Sequence, residues 1–303
     1  NRVLGTFGLT MLGIGAIVGT GIFVLTGVAA ANYSGPALII SFIIAALACG
    51  CAALCYAEFA AMVPVAGMHT YGYVALGEFW AWVIGWDLIL EYAFAVSAVA
   101  IGWSGYFNNI LTNLGLVLPK ALTLVHMTAD RQSAGRPHPL RHRLHQHPRV
   151  RQSATVNNII VGVKLAVVAL FLALGFSTSM LQLGSFMPYA VGVSPARPHL
   201  LRLYRFDAVS TAAEEVKNPQ KDLPRGIILS LIICTVLYIA VCAAMTGVVP
   251  YPMLDTAAPA SFVLEYIGLH LGSAIVGTGA ICGLSTVVLA CSSLRAGSLL
   301  DEP

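Results

Sequence analysis

One lysine, Lys164, stands alone in the apolar run VNNIIVGVKLAVVALFLALGF. It sits about nine residues into that run, hence ~12 Å deep at a helical rise of 1.5 Å per residue. A lysine stem does not easily snorkel that far. The ammonium must face a bundle interior or a wet cavity, where ionisable residues mark ion and substrate paths. Two roles suit it: a group that binds and releases a proton, or a charge held permanently by backbone carbonyls. Asp87 and Glu91, in WDLILEYA, are one helical turn apart and share a face. Such a pair could attract a cationic solute or a coupling proton. A neutral carboxylic acid bonding between helices is the other reading for Glu91, and the favoured one for Asp87. Glu58, in YAEFAAMVP, reads as an interfacial or interhelical acid, and His69 as a structural loop residue. Nothing resembles a nucleophile–base pair, a zinc set or a phosphate loop, so an enzyme is disfavoured and no cofactor is expected. The seven cysteines (Cys49, Cys51, Cys55, Cys234, Cys242, Cys282 and Cys291) all fall in apolar stretches. With no His or Asp near the first three, they are expected to pack as small buried hydrophobes and to bind no metal.

The elements that must position these residues are membrane helices. The chain of 303 residues is 58% hydrophobic and 10% charged, which places it among membrane proteins. Six stretches read as spans: about 7–30, 36–62, 80–107, 156–176, 226–249 and 272–294. The first span, FGLTMLGIGAIVGTGIFVLTGVAA, carries no charge but six glycines, each costing roughly 1 kcal/mol against alanine in a helix. Gly19-Thr20-Gly21 sits at its middle. A break there would free backbone groups at mid-membrane, which is tolerated only beside a polar cavity. Interrupted spans of this kind hold substrates in secondary transporters. Close packing against neighbours by small residues is the competing reading. Asn32-Tyr33-Ser34-Gly35-Pro36 reads as a tight turn, so the first two spans run antiparallel as neighbours. Trp80, Trp82, Trp86 and Trp103 flank or enter the third span, and the outer ones suit the interface. The charged segment 213–225, with Lys217, Lys221 and Arg225, reads as a cytoplasmic loop, which with Arg2 puts the N-terminus in the cytoplasm.

GIGAIVGTGIF, YAEFAAMVPVAG, EFWAWVIGWDLILEY, VNNIIVGVKLAVV, FDAVSTAAEEVKNPQKDLPRGI and GAICGLST, in this order, closely resemble the amino-acid permeases of the APC superfamily. The subgroup it is most similar to is the cationic amino-acid transporters and their bacterial relatives. The resemblance implies an all-α membrane protein, an inverted-repeat helical bundle with helices one and six broken. This single transporter domain looks truncated to its first eight helices. It further implies proton-coupled transport of amino acids across the plasma membrane, with cationic amino acids as a favoured substrate class. Gly19, Thr20 and Gly21 match the unwound turn that binds the α-carboxylate and α-amino groups. Glu91 matches an acid near the pocket, and Phe206 and Asp207 match residues just after the helix-six break. Lys164 matches a helix-five lysine at a position that sodium occupies in related transporters, which implies coupling to protons. Ser285 and Thr286 match helix-eight hydroxyls that face it. The implied partners are an amino acid, a proton and the lipid bilayer, with no nucleic acid.

Two windows, 123–155 and 190–206, depart from the family pattern. Residues 126–151 hold six of the twelve arginines and five of the eight histidines, and residues 194–205 hold three more arginines and two prolines. Neither can span a bilayer, since one arginine at its centre costs ~2.5–3.5 kcal/mol even on insertion scales. They read as a patch for anionic lipid or nucleic acid, as a His-rich metal tract, or as translation in a shifted frame. The shifted frame is favoured. The windows replace helices four and six without lengthening the chain, and in-register motifs resume at RQSATVNN and FDAVSTAAEE. The expectation for the polypeptide as it stands is therefore a transport-dead form of such a permease, with a lipid-binding scaffold as the remote alternative.

Overall fold

The computed structural model describes residues 5–63, 68–116, 154–179, 216 and 218–298. The windows 123–155 and 190–206, and with them Phe206 and Asp207, lie outside the described residues, apart from the first two residues of a helix that starts at Ala154. All regular elements described are helices. They are α1 (Thr6–Ile17), α2 (Thr26–Ala29), α3 (Leu38–Met62), α4 (Met68–Leu76), α5 (Glu78–Asn113), α6 (Ala154–Ser179), α7 (Pro219–Val248), α8 (Pro259–Tyr266) and α9 (His270–Ser298). Among the described residues, five helical stretches are long and apolar enough to cross a membrane. The molecule is an all-α, multi-pass membrane protein.

The first hydrophobic stretch is two helices, not one. After α1 the chain turns at Val18, whose ψ of 96° is extended. It resumes as a π-helical turn, Gly21–Leu25, then α2, then a second π-turn, Ala30–Ser34. α1 has 12 residues, about 18 Å of rise, so the turn falls near the middle of a ~30 Å hydrocarbon core. Gly35 ends the stretch at φ +51°, a conformation open to glycine but strained for other residues, with the Tyr251 ring packed where a side chain would stand.

α1 does not take α3 as its main neighbour, although the turn at 32–36 joins the far end of the same hydrophobic stretch to α3. α7 lies between, with α1 on one flank and α3 on the other. The reason is fit: a Cβ on Gly226 of α7 would stand 2.8 Å from the Cβ of Leu9, so the two backbones approach closely there. α7 also begins earlier than a span from 226 would. Pro219 occupies its first turn, where a missing N–H costs nothing, and Asp222 stands at its positive end and accepts a hydrogen bond from the hydroxyl of Thr6. Pro219, Lys221 and Arg225 therefore ride on a helix, not in a loop. Likewise His69 falls in α4.

α3 shows the lipid-edge pattern. Phe42, Cys49, Ala53 and Ala60 are buried, while Ile40, Ile43, Ile44, Leu47 and Leu54 are exposed at helical spacing. Cys51 and Cys55 lie on that exposed side, and Cys282 is exposed on α9. Only Cys49, Cys234 and Cys242 of the described thiols pack inside. The expectation that all are buried fails because a peripheral helix turns half its residues to lipid. α5 and α9 pack along one another, α9 also lies against α6, and α6 reaches α1 and α7. The broken stretch is thus enclosed by α5, α6, α7 and α9.

Gly35→Ala is expected to lower the melting temperature of the detergent-solubilised chain, because a Cβ at positive φ costs about 1–2 kcal/mol. Gly50→Ala, at a helical position with open space around it, is expected to leave the melting temperature unchanged or raise it.

Candidate functional site

A helix that stops at Ile17 leaves its last carbonyls without intrahelical partners, and lipid cannot replace them. Side chains from two other helices fill that need. Lys164 on α6 is 2% exposed. Its Nζ donates to the carbonyls of Gly15, at 3.0 Å, and Val18, at 3.3 Å. Tyr238 on α7 donates its hydroxyl to the carbonyl of Ile17 at 3.1 Å and packs edge-on against Phe42. Three of the four carbonyls between Gly15 and Val18 thus receive a bond from outside the helix, two of them from an ammonium. Charge-assisted bonds of this type are the stronger class.

α6 and α9 place the lysine. Val161, Val168 and Phe171 of α6 are buried on the same side as Lys164. The stem of Lys164 runs over Gly283 of α9, where an added Cβ would stand 3.3 Å from its Cγ and 3.4 Å from its Cε. Two residues on, Ser285 donates to the Ile281 carbonyl and accepts from the indole N–H of Trp103 on α5, at 3.1 Å. Thr286 donates to the Gly283 carbonyl at 2.8 Å. Both hydroxyls therefore lie on the stretch of α9 that carries the lysine stem.

The second half of the stretch begins at Gly19, whose carbonyl accepts from the amides of both Ile22 and Phe23. The amides of Gly19, Thr20 and Gly21 precede that ladder and, as at any helix start, have no intrahelical acceptor. Amides at a helix start, aimed along a positive dipole end, are an anion site. Thr20 is buried, and its methyl faces Gly102 of α5, where an added Cβ would stand 3.0 Å away. Gly21 lies against the Tyr238 hydroxyl so closely that a Cβ would overlap it. The π-turn that follows is held by Thr26, whose hydroxyl donates to the carbonyls of Gly21 and Ile22, both at 2.8 Å. The break and the close glycine contacts occur together, so the two readings of this span describe one device.

Lys164, Gly19, Thr20 and Gly21 come together at the break, whereas Ser285 and Thr286 bond to carbonyls of α9 itself and Ser285 also to Trp103. Glu91 is half-buried on α5, eleven residues before Gly102 and so about 16 Å from the Thr20 crossing along the axis. Asp87 and Glu58 are exposed. The two site residues that sequence reasoning passed over are Tyr238 and Tyr106. Tyr106 on α5 is fully buried and donates its hydroxyl to the Phe23 carbonyl at 2.7 Å. A phenol inside an apolar run, as in CTVLYIAVC, is the same kind of signal that singled out Lys164.

The profile of a family described as amino acid permease matches residues 4–126, and a second with the same description matches residues 205–298. The methylthioribose transporter of Bacillus subtilis is 45% identical over 307 residues. The branched-chain amino acid permease BcaP of the same organism is 48% identical over 304 residues. Each alignment takes in 95% of this chain and 64% of the relative. Cationic amino acid transporter 4 of Mus musculus is 34% identical over 303 residues, 95% of this chain and 47% of the relative. The chain therefore spans less than two thirds of the length of the curated relatives it matches. With its profile matches on both sides of the Arg-rich windows, its helical bundle and its broken first stretch, the chain belongs to the amino-acid permeases of the APC superfamily.

Proposed function

We propose that this chain is the substrate-gripping part of a proton-coupled amino-acid carrier of the plasma membrane, with its N-terminus in the cytoplasm. The amides of Gly19, Thr20 and Gly21 receive the α-carboxylate. The carbonyls at the end of α1 receive the α-amino group. The observation that carries the proposal is the pair of bonds from Lys164 to Gly15 and Val18. Protonated, Lys164 occupies these carbonyls with a charged donor. Once neutral it loses the charge-assisted bonds, and the same carbonyls become free to accept from the substrate's ammonium. The two roles first open to Lys164 merge here, because the carbonyls that hold the charge are those of the break. Ser285 and Thr286, two and three residues beyond Gly283 on α9, are the hydroxyls that the family resemblance assigns to the coupling site. Glu91, Phe206 and Asp207 remain further candidate contacts to the substrate, as the family resemblance implies.

Relatives named for branched-chain and for cationic amino acids share one chemical moiety, the zwitterionic α-carbon, and the break is complementary to it. The similarity to a methylthioribose transporter makes a thio-sugar the competing substrate class. The test is uptake of labelled leucine, arginine and methylthioribose by proteoliposomes holding the full chain, with and without an acid exterior. Where the chain carries despite its two Arg-rich windows, amino-acid uptake is expected to quicken with acid outside, and Lys164→Ala to abolish that quickening. An uptake rate indifferent to both the gradient and the substitution would remove the proton role. A substrate-induced thermal shift without uptake would mark a chain that grips but does not carry. Absence of both would overturn the amino-acid reading.

Gly21→Ala drives a Cβ into the Tyr238 hydroxyl and breaks its bond to Ile17. A buried carbonyl left unpaired costs about 1–3 kcal/mol. Binding by thermal shift or calorimetry is accordingly expected to weaken by about tenfold or more, and unchanged affinity would separate Tyr238 from the site.

A further inference from the structure

The connection between α7 and α9, residues 249–269, does not lie loosely outside the bundle. It forms a short 3-10 turn, Tyr251–Leu254, and then α8. Leu254, Ala258, Ala260, Ser261, Val263 and Leu264 are buried. Besides α9, α6 and α7, it contacts the second half of the broken stretch. An added Cβ on Gly27 would run into the ring of Pro259 and stand 3.1 Å from the Leu254 carbonyl. α5 meets the same connection, since a Cβ on Gly105 would stand 2.7 Å from the Cβ of Ala257 and 2.8 Å from its carbonyl oxygen.

Between these surfaces stands Tyr106. Its hydroxyl donates to the Phe23 carbonyl, inside the π-turn that follows the break, and accepts from the amide of Ala260 in the first turn of α8, at 3.4 Å. Its ring meets Phe23 edge-on, with centroids 6.4 Å apart. One buried hydroxyl therefore joins the backbone of the broken helix to the backbone of the connection. The far end of α8 is fastened elsewhere. Glu265 accepts from the Asn113 side chain of α5, at 2.7 Å, and from the Ser273 hydroxyl of α9, at 2.8 Å.

We infer that Tyr106 makes the second half of the broken helix and the 249–269 connection one mechanical unit, so that a change at the break is carried to the end of the bundle. Tyr106 is in this sense a positioning residue: it holds neither substrate nor proton but relays their effect on Gly19–Gly21 to α8. A hydroxyl bonded on both sides is suited to this. It resists separation of the two backbones, whereas apolar contact alone would let them slide. The inference rests on the break being the substrate site as proposed above, yet the fastening is testable apart from it.

The experiment is hydrogen exchange read by mass spectrometry on the full chain in lipid nanodiscs, comparing wild type, Tyr106→Phe and Asn113→Ala, each with and without saturating leucine or arginine. Tyr106→Phe keeps the ring and its contact with Phe23 and removes only the hydroxyl. It is expected to speed exchange in both 21–29 and 258–264 by about tenfold. Asn113→Ala, which loosens only the far end of α8, is expected to leave 21–29 at the wild-type rate. In wild type the amino acid is expected to slow exchange at 19–25 and also at 258–264. In Tyr106→Phe it should slow 19–25 alone, a loss of relay that a merely structural tyrosine would not produce. Wild-type exchange in both segments of Tyr106→Phe, or ligand protection that still reaches α8 without the hydroxyl, would overturn the inference. If the amino acids protect nothing in wild type, the substrate reading fails, while the comparison of variants without ligand still decides the fastening.

Discussion

A helix that ends inside a bilayer exposes carbonyl groups that neither lipid nor its own next turn can satisfy, and much of this structure answers that constraint. The answer is an ammonium, Lys164, aimed at Gly15 and Val18, with a phenol, Tyr238, on Ile17 between them. Neither donor is local. Each comes from a helix more than a hundred residues away in sequence, so the break is stable only once α6 and α7 have packed on α1. The packing in turn depends on small residues. Gly226 admits α1, Gly283 admits the lysine stem, and Gly21 admits the tyrosine hydroxyl. A Cβ at Gly21 would overlap the Tyr238 hydroxyl, one at Gly226 would push Leu9 and α1 away, and one at Gly283 would crowd the lysine stem.

The other half of the stretch solves the opposite problem. Its opening amides, at Gly19, Thr20 and Gly21, have no acceptor within the helix, while side chains secure the carbonyls just beyond them. Thr26 ties the carbonyls of Gly21 and Ile22, and Tyr106 ties that of Phe23. The π-turn spreads the backbone over five residues in place of four, a feature that is common at functional sites and uncommon elsewhere. Carbonyls capped by an ammonium stand on one side, and the amides of a helix start on the other, a few residues apart. That arrangement of acceptors and donors is what the proposed grip on a zwitterion rests on, beside kinship.

Much of this was legible in the residues. Lys164 announces itself because a charge in an apolar run has few places to go, and the six glycines of residues 7–30 announce a departure from plain helix. Both follow from energy costs that a single sequence exposes. The turn itself falls at Val18, just before Gly19-Thr20-Gly21, because the chain bends where Lys164 and Tyr238 can reach its carbonyls, and their reach is a tertiary matter. Tyr106 and Tyr238 were passed over for a related reason. A tyrosine in a span is compatible with interface, core or bond donor, and only the register of two packed helices decides among these. The place of α7 between α1 and α3 was illegible too, since a tight turn implies adjacency in sequence while Gly226 and Leu9 set adjacency in space. Cys51 and Cys55 were misjudged because an apolar residue on a peripheral helix is as stable in lipid as in a core.

Kinship with the amino-acid permeases and the geometry of the break support one another without being the same statement. The family shows what class of protein this is, and the capped carbonyls show how such a chain could hold its cargo. The most direct measurement is an experimental structure of the chain in a lipid bilayer, resolved finely enough to place the Lys164 side chain and the backbone from Gly15 to Phe23. The expected result is an extended turn at Val18, with Nζ within hydrogen-bonding distance of the Gly15 and Val18 carbonyls. A helix continuous through Thr20, with the lysine turned away from it, would contradict the mechanism at its root.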